Sequence, residues 1–260
     1  MPLIDVQGTR IDVTQQGTGR DLVLLHSLLS DRTAFERVAP ALARSRRVWL
    51  VNLPGYGAST PAVLATIEAY ADCVARLLDA LHLPRDADVL GNGFGGFISA
   101  SLAARHSDRF GRLIVADALI AFPEPAKQPL RALAGKVERE GMTGALDIAI
   151  TRMFPPAFAE QHPDIIDERK QALAAADAAS FSRACRALAI VDLGSALARV
   201  ANRTLVLVGS LDATTPPAGA RALADAIPAA RFEEIADCGH CPQIERPDAF
   251  VTAVQTFLDE

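Results

Sequence analysis

Short apolar segments alternate with segments of helical periodicity along most of this chain of 260 residues. Five of the apolar segments have the length and composition of strands that are buried on both faces. They occupy residues 22–25, 48–51, 89–90, 113–116 and 205–208. Apolar residues recur at helical spacing in the stretches between them, at residues 33–43, 66–83 and 94–106. The alternation predicts an α/β fold, in which a doubly wound parallel sheet carries helices on both faces.

Two parts of the chain depart from this alternation. Residues 4–6 and 11–14 have the pattern of an antiparallel hairpin ahead of the sheet. Residues 122–199 are rich in alanine, have helical periodicity and contain no convincing strand. Because roughly 80 residues are too many for one crossover connection, an inserted helical cap explains this segment better than ordinary crossover helices do. We therefore predict an α/β core of residues 1–121 and 200–260 and a cap of residues 122–199.

Charge and hydropathy exclude several classes of function. A formal net charge of −5 provides no basic surface for nucleic acid. No apolar run approaches the roughly 20 residues that span a bilayer, and residues 1–5 lack the pattern of a signal peptide. We expect a cytoplasmic protein that acts on a small-molecule substrate, with neither nucleic acid nor membrane as a partner. The oligomeric state is left open.

The glycine-rich segment VLGNGFGGFISA, residues 89–100, fits two different motifs. Gly91, Gly93 and Gly96 form G-x-G-x-x-G, and Asp117 follows about 20 residues later, as in a dinucleotide-binding motif. Gly91 and Gly95 are also the outer glycines of G-x-S-x-G, the nucleophile elbow of hydrolases, with Gly93 in the place of the serine. The dinucleotide motif normally follows the first strand of its domain, whereas two strand–helix units precede this one.

Four further segments, each following a predicted strand or lying near the end of the chain, decide between the two motifs. They are HSLLSD at residues 26–31, NLPGYGAS at 52–59, GSLDATTPP at 209–217 and CGHCPQIERP at 238–247. In this order around the glycine segment, they resemble the α/β-hydrolase family over nearly the whole chain. The cap is most similar to that of the 3-oxoadipate enol-lactonase group, through EREGMTGALDIAITRMFPPAF, HPDIIDERKQAL and the C-x-A-L at residues 185–188.

The resemblance implies an α/β-hydrolase fold, with a mostly parallel eight-stranded sheet and an inserted helical cap, and a site that needs no cofactor and no metal. It implies His240 as the catalytic base, Asp212 as the acid that orients it, and Gly93 at the nucleophile position. The backbone N–H groups of Leu28 and Phe94 would form the oxyanion hole, because both donors are main-chain groups that the loss of a serine leaves in place.

Each implied role has an alternative. Asp212 could instead cap the helix that begins near Pro216, in which case Asp117, at the end of the neighbouring strand, is the reserve acid. His240 could be a structural histidine. Cys238 and Cys241 form C-x-x-C, but no second pair supports a zinc site, so we interpret them as loop thiols that flank His240.

Glycine at position 93 excludes an acyl-enzyme there, because glycine has no side-chain nucleophile. We favour the interpretation that His240 activates water to hydrolyse an ester, an enol lactone or a similarly activated carbonyl. A serine hydrolase whose nucleophile has been replaced by Gly93 would have the same site residues. The alternatives are a cofactor-free lyase or isomerase that uses His240 for proton transfer, and a non-catalytic protein that binds a small ligand. If the glycine segment were instead the dinucleotide motif of a dehydrogenase, NADH should raise the melting temperature of the protein.

Substrate contacts are expected from the loop after the first strand and from the cap. We predict that His26, Phe122, Met153 and Phe154 bind the substrate, although His26 could brace its own loop and the cap residues could form the core of the cap. The cap also carries several arginines, Arg152 among them, and one of these could clamp a substrate carboxylate; a solvated helix face is the alternative.

Overall fold

The structure is a computed structural model that describes residues 3–260 and, in that range, contains nine β-strands and eleven α-helices. The strands are β1 (Ile4–Val6), β2 (Thr9–Ile11), β3 (Val13–Gln16), β4 (Arg20–Leu25), β5 (Arg46–Val51), β6 (Asp88–Asn92), β7 (Leu113–Ala116), β8 (Thr204–Gly209) and β9 (Arg231–Ile235). The helices are α1 (Ala39–Leu42), α2 (Ile67–Ala80), α3 (Phe94–His106), α4 (Glu124–Glu140), α5 (Leu146–Met153), α6 (Pro156–Gln161), α7 (Pro163–Ala174), α8 (Ala178–Ile190), α9 (Pro217–Ala226), α10 (Pro242–Glu245) and α11 (Pro247–Asp259).

The main sheet of the described chain has the order β3-β5-β4-β6-β7-β8-β9. Strand β3 is antiparallel to β5, and the other neighbouring pairs are parallel. Successive side chains of the central strand β4 enter opposite hydrophobic cores, Leu22 and Leu24 on one face and Val23 and Leu25 on the other. A strand buried on both faces in this way explains the unbroken apolar run in the sequence. The predicted α/β fold with a mostly parallel sheet is confirmed.

The prediction of an eight-stranded sheet is wrong, because the main sheet of residues 3–260 has seven strands. Strands β1 and β2 form a separate antiparallel hairpin, in which Ile4 lies opposite Ile11. Asp12 interrupts the chain between β2 and β3. Its backbone N–H donates to Ser59 Oγ at 2.8 Å and its carbonyl accepts from the Asn52 N–H at 2.9 Å. Both backbone groups are therefore used by a loop, and the ladder ends there.

Helices α4 to α8 occupy the sequence between β7 and β8, where the cap was predicted. The two ends of this segment meet at an antiparallel bridge between Ala121 and Asp192, and Leu193 N–H donates to Ile120 O at 2.9 Å. We call this bridge the stem. The division of the chain into a core and a cap of residues 122–199 stays a prediction. Ala121 of the stem lies directly before the predicted start of the cap. In the described part of the chain, no helix is both long enough and apolar enough to cross a membrane.

Candidate active site

The glycine segment forms a tight turn from β6 into α3, with Gly93 at its apex. Gly93 has φ 54° and ψ −117°, a left-handed conformation that costs a residue with a side chain more than it costs glycine. A Cβ on Gly91 would collide with the carbonyl of Gly95, and one on Gly95 would collide with the carbonyl of Leu25. The outer glycines are therefore required by close backbone packing, as in a nucleophile elbow.

Asp117 cannot serve as the ribose ligand of a dinucleotide site, because it is fully buried. Its carboxylate accepts hydrogen bonds from Asn92 Nδ2 at 2.7 Å and from the Gly209 N–H at 3.1 Å. Burial, followed by the nearby charge of Asp212, raises the pKa of Asp117 well above its ordinary value. Asp117 is therefore a buried neighbour of the site rather than an open ligand.

His240 and Asp212 form a buried hydrogen-bonded pair beside the elbow. His240 Nδ1 lies 2.8 Å from Asp212 Oδ2, and the two residues are 4% and 3% exposed. Asp212 also accepts from the backbone N–H groups of Thr214 and Thr215, at 2.7 and 2.9 Å. It does not cap the following helix, whose N-cap is Pro216. The pair takes the arrangement that the sequence predicted, with Asp117 left outside it.

The hydrogen bonds keep Asp212 ionised. Burial alone would raise its pKa, but the His240 charge and the hydrogen bonds from His240 and Thr215 outweigh burial and lower the pKa to about 2. An ionised acceptor at Nδ1 fixes the imidazole proton on that nitrogen. His240 Nε2 is then left as a proton acceptor that faces the elbow.

The loop that carries His240 is held by Glu245, which the sequence analysis missed. Glu245 accepts hydrogen bonds from the N–H groups of Gly239 and Cys241, at 2.8 and 3.1 Å. Glu245 lies five residues after His240 in CGHCPQIERP. An acidic residue so close in sequence to the predicted base was the signal that could have identified it. Cys238 and Cys241 are fully buried free thiols whose pKa values are raised, first of all by burial. They are therefore protonated packing residues.

The two residues predicted to supply the oxyanion-hole N–H groups line the same cavity as His240. The N–H groups of Leu28 and Phe94 donate to no acceptor within residues 3–260, and both residues line the cavity. Their positions are held from behind, since Tyr56 donates its hydroxyl to Leu28 O at 2.9 Å and Gly95 N–H donates to His26 O at 3.0 Å. Unpaired, rigidly placed N–H groups are the donors that stabilise a developing oxyanion.

His26 does not reach the cavity, so its prediction as a substrate-binding residue is corrected. The ring is fully buried, with its Nε2 accepting from the Leu53 N–H at 3.0 Å and its Nδ1 donating to Ser27 O at 2.8 Å. The ring therefore braces the oxyanion loop, which is the alternative that the sequence left open. Burial lowers the pKa of His26 to about 4, against smaller opposite effects of the Ser27 hydrogen bond and the Asp31 charge.

The lowered pKa predicts a loss of stability in mild acid. The unfolded chain takes up a proton at His26 near its ordinary pKa of about 6.5, whereas the folded chain does so only near 4. The free energy of unfolding should therefore fall by about 3 kcal/mol between pH 6.5 and 4 through this residue. Urea unfolding across that range should show a shallower pH dependence for His26→Asn than for the parent. His82→Asn, at an exposed histidine, is the matched control; an unchanged slope in His26→Asn would contradict the assignment.

A cavity lies between the elbow and the helical segment and is lined by residues of both. Its walls are mostly apolar, with polar groups from Ser27, Arg152, Thr214, Thr215 and His240. Phe122 lines it and stacks on Phe97 with 5.4 Å between ring centroids, and its contact with a substrate stays a prediction. A mainly apolar lining with a few polar groups is typical of a small-molecule site.

Met153 and Phe154 lie outside this cavity, which corrects their prediction as substrate-binding residues. They are 1% and 3% exposed and belong to the larger hydrophobic core. Phe154 stacks on Phe158 at 5.1 Å, and the carbonyl of Met153 accepts from the His240 N–H at 3.1 Å. Met153 therefore supports the backbone of His240, and Phe154 is part of the hydrophobic core.

Arg152 supplies the positive charge of the cavity. Its surroundings in the described chain contain no carboxylate that raises its pKa, and burial lowers that pKa. By contrast, Arg169 and Arg186 of the same helical segment are paired with Glu168 and Glu138. A half-buried guanidinium without a carboxylate partner favours an anionic group from a ligand.

Asp117, Asp212 and His240 bring potential metal ligands within 4.8 Å of one another. His240 Nδ1 and Asp212 Oδ2 are already hydrogen-bonded to each other, and Asp117 accepts two further hydrogen bonds. A cation would have to replace these bonds. The cluster is therefore better suited to holding a proton than to holding a metal.

Comparison with known proteins gives a consistent result. Residues 22–253 match the alpha/beta hydrolase family. The 3-oxoadipate enol-lactonase 2 of Acinetobacter baylyi is 32% identical over 205 residues, which cover 78% of this chain and 75% of that protein. The 2-hydroxymuconate semialdehyde hydrolase of Pseudomonas sp. is 30% identical, covering 97% of this chain and 92% of that protein. The crystal structure of the enol-lactonase from Burkholderia xenovorans superposes with a TM-score of 0.93 and 30% identity, over 100% of both chains.

Proposed function

Since the chain belongs to the alpha/beta hydrolase family, we propose that it hydrolyses a small activated carbonyl substrate, with water as the nucleophile and His240 as the general base. The observation that carries this proposal is the position of His240. Its Nε2 would lie 3.0 Å from a Cβ at residue 93, and its Nδ1 is held by ionised Asp212. Because residue 93 has no side chain, a base at the elbow can take a proton from a water molecule instead of from a serine hydroxyl.

The reaction then proceeds in two steps. Water gives a proton to His240 Nε2 while its oxygen bonds to the carbonyl carbon, and the carbonyl oxygen becomes an oxyanion held by the N–H groups of Leu28 and Phe94. The oxyanion collapses, the bond to the leaving group breaks, and His240 returns the proton to that group. Asp212 stabilises the imidazolium between the two steps.

The missing serine restricts the substrate to carbonyls with a good leaving group. In a serine protease the loss of the nucleophile costs about 10⁶ in turnover, but roughly 10³–10⁴ over water remains from the oxyanion hole and substrate binding. An enol lactone or an activated ester is within that range, whereas a simple amide is not. The similarity to an enol-lactonase and to a semialdehyde hydrolase supports the same class of substrate.

The reaction class is tested by hydrolysis in H₂¹⁸O, with p-nitrophenyl acetate, an enol lactone and a β-diketone as substrates. Hydrolysis should place one ¹⁸O atom in the carboxylate product. Proton transfer without hydrolysis, the lyase or isomerase alternative, would give a product without ¹⁸O. Binding without any product would favour the ligand-binding alternative.

Arg152 predicts a preference for substrates that carry a carboxylate. Because a hydrogen bond to a charged partner contributes about 1.5–3 kcal/mol, Arg152→Gln should raise KM for an enol lactone with a free carboxylate by about 10-fold to 100-fold. The KM for neutral p-nitrophenyl acetate should change little. Steady-state kinetics on both substrates provide the measurement. Arg131→Gln, at an exposed arginine of α4, is the control; equal effects on the two substrates would contradict a carboxylate clamp.

A further inference from the structure

The side chain of Ser27 occupies the space that a nucleophile would need at the elbow. A Cβ built on Gly93 would lie 2.5 Å from Ser27 Oγ and 2.9 Å from Ser27 Cβ. Both separations are shorter than ordinary contacts between non-bonded heavy atoms. Gly93 and Ser27 therefore fit each other, because the absence of a side chain at one position admits the hydroxyl of the other.

The hydroxyl of Ser27 is free and firmly placed. Ser27 is 2% exposed and lines the cavity, and Ser27 Oγ makes no hydrogen bond to another group in residues 3–260. Its backbone is fixed on both sides, since Ser27 O accepts from His26 and the next carbonyl, of Leu28, accepts from Tyr56. A hydroxyl at a cavity wall that has no protein partner is open to a partner from solvent or ligand.

We propose that Ser27 Oγ is the second anchor of the water that His240 activates, so that Ser27 is a catalytic residue of this site. The inference rests on the proposed function. Ser27 Oγ and His240 Nε2 lie 2.5 and 3.0 Å from the point that a Cβ on Gly93 would occupy, and both residues line the cavity. The two atoms are therefore close enough to each other for one water molecule, in the cavity in front of Gly93, to hydrogen-bond to both. Ordered water needs two or more polar partners, and these two atoms supply them.

His240 Nε2 and Ser27 Oγ have different roles toward the water molecule. One O–H of the water points to His240 Nε2, which takes this proton as the oxygen bonds to the carbonyl carbon. Ser27 fixes the oxygen from the other side and neither gains nor loses a bond to carbon. Correct placement of a reacting group accounts for a large part of an enzymatic rate, so the loss of one anchor lowers turnover more than substrate affinity.

A direct attack by Ser27 is the competing role, and the geometry favours the anchor. No hydrogen bond joins Ser27 to His240 in the described chain, whereas a serine nucleophile is normally hydrogen-bonded to its base. The two roles differ in covalent chemistry, because only a nucleophilic serine forms an adduct with a fluorophosphonate.

The test compares Ser27→Ala with the parent protein, using p-nitrophenyl acetate as the probe. The kcat should fall about 10-fold to 100-fold with KM unchanged, and Ser27→Thr should restore most of it. Ser30→Ala is the matched control, because Ser30 is a buried serine of the same loop whose hydroxyl donates to Asp31 O. An unchanged kcat, or an effect on KM alone, would overturn the proposal.

Two further measurements test the role of Ser27 separately from the proposed hydrolysis. Mass spectrometry after treatment with a fluorophosphonate should show no adduct on Ser27; an adduct there would overturn the anchor in favour of a covalent nucleophile. A crystal structure of the parent should show a water within hydrogen-bonding distance of both Ser27 Oγ and His240 Nε2, lost in Ser27→Ala. An empty position would overturn the inference. Water present without ¹⁸O incorporation would overturn the proposed hydrolysis alone.

Discussion

Turnover of p-nitrophenyl acetate should rise about 10²-fold or more when Gly93→Ser is combined with Ser27→Gly. The double variant places a nucleophile beside His240 Nε2, with Asp212 and the oxyanion donors already in position. Gly93→Ser alone should gain less, because its Cβ would meet both Oγ and Cβ of Ser27. The effect of a restored nucleophile is large because it replaces one difficult step by two easier ones.

The control is Gly93→Ala combined with Ser27→Gly, which introduces the same backbone strain without a hydroxyl. A residue with a side chain at φ 54° is strained, so both double variants should lose about 1–3 kcal/mol of stability. Activity measured below both melting temperatures separates chemistry from folding. A serine variant no more active than its alanine counterpart would show that the elbow does not present residue 93 to His240.

Loss of the His240 imidazole is the second large effect expected. His240→Ala should reduce turnover of the parent protein by about 10²-fold to 10⁴-fold, the range that general-base catalysis supplies. The measurement is kcat for p-nitrophenyl acetate at pH 7, with thermal melting to confirm folding. Asp212→Asn should also be severely impaired, because an amide at that position no longer fixes the proton on Nδ1.

The matched control for His240→Ala is His82→Ala, at an exposed histidine that does not line the cavity. A buried Asp212 without its partner costs about 1–3 kcal/mol, so some loss of stability in His240→Ala is expected. Activity retained in His240→Ala would remove the general base from the mechanism. Activity lost equally in the control would point to a general effect of substitution.

The parts of the site that the sequence predicted are those fixed by a few consecutive residues. The turn at Gly93 depends on the glycines beside it, and His240 and Asp212 lie in short loops directly after strands or before helices. In a parallel sheet such loops converge at one edge, so their partnership follows from topology. For that reason the positions of the elbow and of the His–Asp pair could be predicted without coordinates.

The parts that were missed depend on packing between distant segments. Met153 and Phe154 are apolar residues of a helical segment, and apolar periodicity does not say whether a side chain faces a cavity or a core. The space between Ser27 and Gly93 joins two loops that are more than sixty residues apart, and no local pattern records it. The break at Asp12 depends likewise on hydrogen bonds to Asn52 and Ser59.

The stem between Ala121 and Asp192 has a consequence for engineering. Because the helical segment leaves and re-enters the sheet region at one point, its length is not constrained by the spacing of β7 and β8. A segment from a relative can therefore be grafted at these two residues with a single pair of junctions. Such chimeras would exchange the wall that carries Phe122 and Arg152 while keeping the elbow, Ser27 and His240 of this chain. The substrate selectivity of a chimera would then come from the relative, and its catalytic residues from this chain.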